Sequence, residues 1–473
     1  MQNFWDFSVW GFLILVGALL ASLLVANMLK RRIPFLKKSL VPTSVLGGLM
    51  LLLISEIVRV CTGTPLFDMP LFEGKGMQSL EILTYHALAL GFIASSLKTS
   101  EKKMTGERAK EVFNTGVTTV ATYLLQAVVG LGITLLIAMF VAGVFPVSGA
   151  ILPFGYGQGT GQALNYGKYY ETEYGFVGGS GFGLAVAAMG FLSASFGGVF
   201  YLNMVKRKRK INRTICFDEK ISADEVQKSG EIPMNGSMDK LTVQVAFVLL
   251  AYGITFGLMY LLGTLLPGMK ATIYGFNFLI GALMAMLVKA VLGFLNKKKI
   301  VKRVYTNNFL LTRVSNFFFD IMVVAGIAAI RLDYIKQYWW VLLILGVVGM
   351  AITYAYNLFV SRTLFKKYSD EQFLMMYGML TGTASTGIIL LREIDPDFKT
   401  PVSDNLIYQN LPAIVFGFPM MLLGNLAPEQ PIWTFVILVV FMLVMNVLLF
   451  RRQIFCRRKD KGLASVENTE NKE

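Results

Sequence analysis

The feature that most constrains this chain is its recurring long apolar stretches. A helix rises about 1.5 Å per residue, so about 20 mostly apolar residues cross the roughly 30 Å hydrocarbon layer of a bilayer. Roughly ten or eleven such stretches follow one another here, and no long soluble segment is left over. Composition agrees, because 55% of the 473 residues are hydrophobic and 15% charged, against about 25% charged in soluble domains. In lipid each backbone N–H and C=O must be satisfied within the protein, which makes helices the natural spanning element. The pattern implies an all-α integral membrane protein.

The predicted spans are Val9–Leu29, Val41–Val60, Leu80–Leu97, one within Asn114–Phe145, and one from about Gly175 to Asn203. A polar linker, Met204–Lys240, separates them from Leu241–Leu265, Ala271–Leu295, Phe309–Ile330, Trp339–Val360, about Asn405–Leu426, and Pro431–Phe450. The first is read as a retained span and not a signal peptide. Met1–Trp10 lacks a positive n-region, Val9–Met28 is too long for an h-region, and Lys30, Arg31 and Arg32 follow directly.

Two weakly apolar segments do not fit as spans. One is "PVSGAILPFGYGQGTGQALNYG", within residues 146–168, and the other is "QFLMMYGMLTGTASTGIILLREIDP", residues 372–396. Each has a Gly/Thr-rich centre between short apolar arms. An arm of about ten residues covers about 15 Å as helix, half the hydrocarbon, so each segment is predicted to dip in and return as a re-entrant hairpin. Such broken backbone is tolerated only where protein buries it or it lines an aqueous cavity.

Charge tests this layout. With the N-terminus outside and both segments as hairpins, 36 of the 44 Lys and Arg residues fall inside and six outside. The positive-inside rule asks for that bias. Trp5, Trp10, Trp339, Trp340 and Trp433 then all sit at the outer interface, where amphipathic rings prefer to lie. The net charge of +15 is therefore read as membrane orientation, with no nucleic-acid partner. His86 is the single histidine, and Cys61, Cys216 and Cys456 show no CxxC spacing, so neither a His-rich metal site nor a disulfide framework is expected.

An internal repeat emerges. Five spans with a hairpin between the fourth and fifth are followed by five spans with a hairpin between the ninth and tenth. An odd number per half makes the halves inverted. The predicted fold is two inverted five-helix repeats, each with a re-entrant hairpin, plus one extra C-terminal transmembrane helix. The units are 1–203, the cytoplasmic linker 204–240, 241–428, and 429–473 with the extra helix and a cytoplasmic tail. Gly-interrupted segments at matching positions of inverted halves are the best sequence pointer to a transporter's binding site.

The first hairpin offers Gly157, Gln158, Gly159, Thr160 and Gly161, where exposed backbone and helix N-termini suit an anion and a small cation. The second offers Thr381, Gly382, Thr383, Ser385 and Thr386, whose hydroxyls ligate a cation, bond a carboxylate, or cap their own backbone. Arg392 is placed to clamp a carboxylate or is a plain loop charge. Asp320 stands mid-span in "FFFDIMVV", where an ionisable residue is a functional hypothesis by default, and it is expected to face the protein interior. His86 reads as a helix–helix contact, and Glu56 with Arg59 as a local pair. Gly175, Gly179, Gly183 and Ala187 form a smooth face for close helix packing.

These residues point to a secondary transporter of a small anion. The alternative is an ion channel or a cation/anion exchanger without organic substrate, since Gly/Thr-rich loops also build selectivity filters. An intramembrane enzyme would need a nucleophile–base or paired-acid constellation, and one Asp and one His on different spans do not make one.

"FLKKSLVPTSVLGGLMLLLIS" (Phe35–Ser55) and "GYGQGTGQALNYGKYYETEYGF" resemble stretches of the bacterial sodium/glutamate symporter family, the second matching its Gly-rich hairpin. Tyr156 and Gln158 stand where that family tends to show Gly and His. The resemblance covers most of Val9–Leu426. It implies Na+-coupled symport of glutamate or a related small carboxylate by an elevator-like mechanism. It also implies a homodimer in the cell (inner) membrane, no cofactor beyond Na+ as coupling ion, and a Na+ site within the hairpins.

Overall fold

The computed structural model describes residues 3–99, 106–209, 226, 231–234, 238–396 and 399–454. Most of the predicted linker with Cys216, and the tail with Cys456, lie outside the described residues. Within them the chain is helical, and the only β pairing is an isolated bridge between Glu231 and Val304.

In chain order the main helices are α1 (Phe7–Arg32), α2 (Thr43–Thr62), α3 (Gly76–Leu97), α4 (Gly106–Phe140), α5 (Leu152–Gln158), α6 (Thr160–Tyr174) and α7 (Gly179–Arg209). They continue with α8 (Lys240–Leu265), α9 (Asn277–Lys297), α10 (Asn308–Ala328), α11 (Trp339–Leu364), α12 (Ser369–Thr381) and α13 (Ala384–Arg392). The last are α14 (Val402–Tyr408), α15 (Asn410–Leu426) and α16 (Pro431–Leu449). Ten of the described helices are long and apolar enough to cross a membrane: α1–α4, α7–α11 and α16. Large apolar side chains such as Phe140, Phe196, Leu265 and Ile432 stand exposed on their surfaces. Apolar exposure on that scale marks a surface that meets something other than water, and a bilayer fits it.

Two predicted spans need correction. The tenth, about Asn405–Leu426, is two helices, α14 and α15, that meet at Gln409. Pro412 has no N–H to give to the carbonyl of Tyr408 four residues back, so one continuous helix is interrupted there. The fifth begins at Gly179 and not Gly175. Gly175 sits at φ +70° as the left-handed C-cap of α6, a conformation that favours glycine.

Caps set other boundaries. Asp239 accepts hydrogen bonds from the N–H groups of Leu241 and Thr242 and starts α8. Asn307 accepts from Leu310 N and starts α10. Each satisfies an N–H that the first helical turn leaves open.

Polar contacts define two ends of the bundle. At the basic end Arg108 pairs with Asp404 at 2.7 Å, Arg209 with Asp370 and Glu371, and Lys206 with Glu393. Thr99 and Asn308 bond each other there too. At the opposite end Arg59 pairs with Glu56 and, at 3.0 Å, with Asp333, while Tyr174 donates to Glu429 at 2.8 Å.

The long helices pack in two groups. In one, α1–α3 pack with α8–α10, and α3 lies along α10. Ser315 on α10 donates to the carbonyl of Gly91 on α3, and a Cβ at Gly48 on α2 would fall 2.7 Å from Ile327 on α10. In the other, α4, α7, α11, α15 and α16 enclose α5, α6 and α12. Glycines make the second group tight. A Cβ at Gly183 on α7 would lie 2.1 Å from the carbonyl of Ala163, and one at Gly190 would lie 2.6 Å from that of Thr381. The small face of α7 is thus filled by the arms of both Gly-rich segments.

Candidate functional site

Each Gly-rich segment is a helix, a break and a second helix. The first runs through α5, Gly159 and α6. Its flanks are tied down by hydrogen bonds: Pro146 O accepts from Thr134, Tyr338 donates to Gly143 O, and Tyr170 donates to Gly424 O. The second runs through α12, Gly382–Thr383 and α13, with Glu371 paired to Arg209 and Glu393 to Lys206.

The two breaks touch. A Cβ built on Gly159 would lie 3.7 Å from Thr383 Cγ2, 3.8 Å from Met322 Cε and 4.0 Å from the carbonyl oxygen of Gly382. At this one point the N-termini of α6 and α13 meet the C-termini of α5 and α12. The first pair carries partial positive charge and the second partial negative charge. Gly159 adopts φ +81°, ψ −171°, a region essentially restricted to glycine.

The predicted residues divide by role. Gly159, Thr160, Gly382 and Thr383 come together at the contact. Thr160 is fully buried, and its hydroxyl donates to Met322 O at 3.3 Å. Gly157 and Gly161 each lie against a neighbouring side chain. A Cβ at Gly157 would strike the Tyr123 ring at 2.0 Å, and one at Gly161 would lie 2.9 Å from Leu88, so close packing accounts for both. Thr381 donates back to Tyr377 O at 2.6 Å. Thr383 caps α13 by accepting from Thr386 N, and the two hydroxyls are 3.3 Å apart. These are local capping roles. Ser385 is exposed beside the break. Arg392 closes α13, more than two helical turns from the break.

Asp320 has exposed surface on the single chain, while its carboxylate faces buried Ser44 at the start of α2. Met322, whose carbonyl meets Thr160, is two residues on. That is about 200° of helical rotation, which turns Asp320 away from the breaks. His86 bonds Tyr252 at 2.6 Å, a helix–helix contact as read from the sequence.

Gln158 and Gln162 flank the break. Neither atom of either amide group has a hydrogen-bonding partner within the protein, although all four atoms are buried and Gln162 is 1% exposed. Leaving a buried polar group unpaired costs about 1–3 kcal/mol. Four such atoms lie beside the four helix ends.

Sequence reasoning missed a polar stripe on α4. Thr115, Thr118, Thr119, Thr122 and Gln126 are all buried, and their spacing puts them on one helix face. Thr119 donates to Gln409 at 2.6 Å, and Gln126 Nε2 donates to Thr353 Oγ1 and to Leu380 O, both at 2.9 Å. Tyr123 donates to Gly157 O at 3.0 Å. One helix therefore holds the last turns of both α5 and α12. The signal was present: "TYLLQ" (residues 122–126) and "TYAYN" (residues 353–357) occur in α4 and α11.

A separate cavity of about 660 Å³ opens between α3, α6 and the 331–334 segment, lined by Glu81, Tyr85, Asn165, Lys168 and Arg331 among others. His86 lines it too, but none of the residues predicted to bind substrate or ion does. Its charges are matched, with Lys168 3.4 Å from Glu81. Among the described residues no cluster of three or more His, Cys, Asp or Glu could hold a metal ion. No family model matches the chain, and no curated protein does.

Proposed function

We propose that this protein is a secondary active transporter, a Na+-coupled symporter of glutamate or a related small carboxylate that works by elevator-like alternating access. The observation that carries the reading is the contact between the two helix breaks, with unpaired Gln158 and Gln162 beside it. Two helix N-termini suit a carboxylate, and two C-termini with nearby hydroxyls suit a small cation. No fixed cation is needed at the contact for an anion to be held.

We read the two broken segments as re-entrant hairpins of inverted halves. Packing supports this through exchanged partners. The second helix of one half (α2) lies on the third of the other (α10), and α9 lies on α3 in the same way. The fourth helices, α4 and α11, cross each other. In the elevator reading, α1–α3 with α8–α10 form a fixed scaffold, and the group around the hairpins moves. The contact between them is made largely by α6 and α7. The basic end is assigned to the cytoplasm and the N-terminus to the outside of a cell membrane. The scaffold would then form a homodimer.

Two measurements test the reading. In proteoliposomes an imposed Na+ gradient should drive concentrative uptake of a radiolabelled carboxylate, and uptake should collapse when Na+ is replaced by choline. Carboxylate flux that needs no gradient, or none for any carboxylate that stabilises the purified protein, would remove the symporter. For topology, in a Cys61→Ala background, cysteines at Pro65 and Pro267 should react with an impermeant maleimide in intact cells, and one at Lys298 should not. Outside labelling of Lys298→Cys would overturn the inverted arrangement.

A further inference from the structure

The cavity of about 660 Å³ between α3, α6 and the 331–334 segment shares no residue with the hairpin contact. Its size falls within the roughly 300–1,000 Å³ of small-molecule pockets. What it can hold follows from its walls.

Charge balances around the void. Glu81 on α3, Lys168 and Glu171 on α6, and Arg331 just after α10 all line it, two acids and two bases. Glu81 is attracted by both Lys168 and Arg331 and repelled by Glu171, so the four act on one another around one space.

These groups differ in how far they are already engaged. Glu171 accepts from the N–H and the hydroxyl of Ser180. Lys168 lies between Glu81 at 3.4 Å and Glu171 at 3.9 Å. Among the described residues the Arg331 guanidinium makes no hydrogen bond: its nearest carboxylate, Asp68, is 3.8 Å away, and it sits 5.9 Å from the Tyr334 ring centre. Its fork of N–H groups is therefore open to a carboxylate, which takes two of them side by side. Glu81 stands further from Lys168 than the about 2.7–2.9 Å of a charge-assisted bond, and a carboxylate accepts several donors. It has room for an ammonium.

A guest with a single sign of charge would unbalance this set, and a zwitterion would not. Ile82 and Leu164 add apolar wall to the same void. We propose that the cavity binds an α-amino acid with an apolar side chain, its carboxylate on Arg331, its ammonium on Glu81 and its side chain against Ile82 and Leu164. Lys168 then keeps Glu171 as its counter-charge. Binding does not depend on the transporter reading, but its effect on uptake does. Glu81 and Ile82 stand on α3 of the scaffold, and Leu164 and Lys168 on α6 of the hairpin group. Sliding one past the other breaks up the site, so a bound guest holds both groups in this arrangement.

The test uses full-length protein in nanodiscs without Na+, with melting temperature followed as ligand is added. The probes are L-leucine, 4-methylpentanoate and 3-methylbutylamine; the last two keep the side chain with the carboxylate alone or the ammonium alone. L-leucine should raise the melting temperature saturably, and each analogue should need at least about tenfold more. Arg331→Gln and Glu81→Gln should each raise the L-leucine midpoint at least about tenfold, equivalent to about 1.4 kcal/mol. Arg331→Lys keeps the charge without the fork and should fall between wild type and Arg331→Gln. The analogue comparison needs no variant, so it decides the matter even if a substituted protein does not fold. In proteoliposomes L-leucine should slow carboxylate uptake by wild type at the same midpoint. Three results overturn the site: no response to L-leucine; analogues as effective as L-leucine, which would mean an apolar surface only; or an unchanged midpoint in both glutamine variants. If stabilisation by L-leucine is lost in Thr383→Ala and kept in Arg331→Gln, the amino acid sits at the hairpin contact; this site falls and the transporter reading stands. If L-leucine binds as expected but no Na+ gradient drives carboxylate uptake, the transporter reading falls alone.

Discussion

Gly159→Val should reduce carboxylate uptake to background, and Gly159→Ala should do nearly the same. Space is not the reason. A Cβ at this position would meet nothing closer than Thr383 Cγ2 at 3.7 Å, an ordinary contact. The obstacle is the backbone, because φ +81° with ψ −171° costs a non-glycine residue about 1–3 kcal/mol. A substituted chain relieves that strain by rotating the break, and the first thing to move is the N-terminus of α6, which would leave Thr383. Membrane insertion should survive, since the apolar arms are untouched. Gly17→Ala is the control, with no atom within 4 Å of its Cβ and an ordinary helical conformation. Uptake and surface expression measured together decide the matter. An active Gly159→Ala would mean that the backbone turn is dispensable and that the contact between the hairpins is not the transport site.

Gly159 also marks how far the sequence could be read. The apolar runs gave most of the long helices to within a few residues, because a bilayer asks for one length and one polarity. The two broken segments were visible for the opposite reason: Gly and Thr where a span would have been apolar. Where the reading stopped, neighbours decide. That Gly157 packs on Tyr123 and Gly161 on Leu88 is tertiary information. A mid-span acid such as Asp320 is costly in lipid, but which helix it meets depends on where α10 turns relative to Thr160 and Ser44. The split at Gln409 was legible in Pro412 and was outweighed by hydropathy. The "TYLLQ" and "TYAYN" pair was legible too. Threonine and tyrosine disappear into an apolar run when only hydropathy is counted, and their shared face appears once helical spacing is applied.

Tying the two packed groups together should arrest transport, and tying one group to itself should not. Leu88 on α3 and Gly161 on α6 face each other across the boundary, with Cβ positions 2.9 Å apart. Leu88→Cys with Gly161→Cys removes the bulk that crowds the glycine, and a shift of about 1 Å reaches the 3.5–4.5 Å that a disulfide needs. If the hairpin group slides past the scaffold, an oxidised bond holds it in one of its two positions, and a cycle that needs both stops. Uptake in the oxidised protein should fall below about one tenth of the reduced value and recover with dithiothreitol, the residual reporting molecules left uncross-linked. Gly48→Cys with Ile327→Cys is the matched control. Its Cβ positions are 2.7 Å apart, but both residues belong to the scaffold. That bond should form and leave uptake unchanged. Full uptake with the Leu88–Gly161 bond closed would mean that α6 never leaves α3, which removes the elevator and leaves only local hairpin movement to provide alternating access. Arrest in both pairs would instead show that the scaffold itself must flex, and the division into a fixed and a moving group would be wrong.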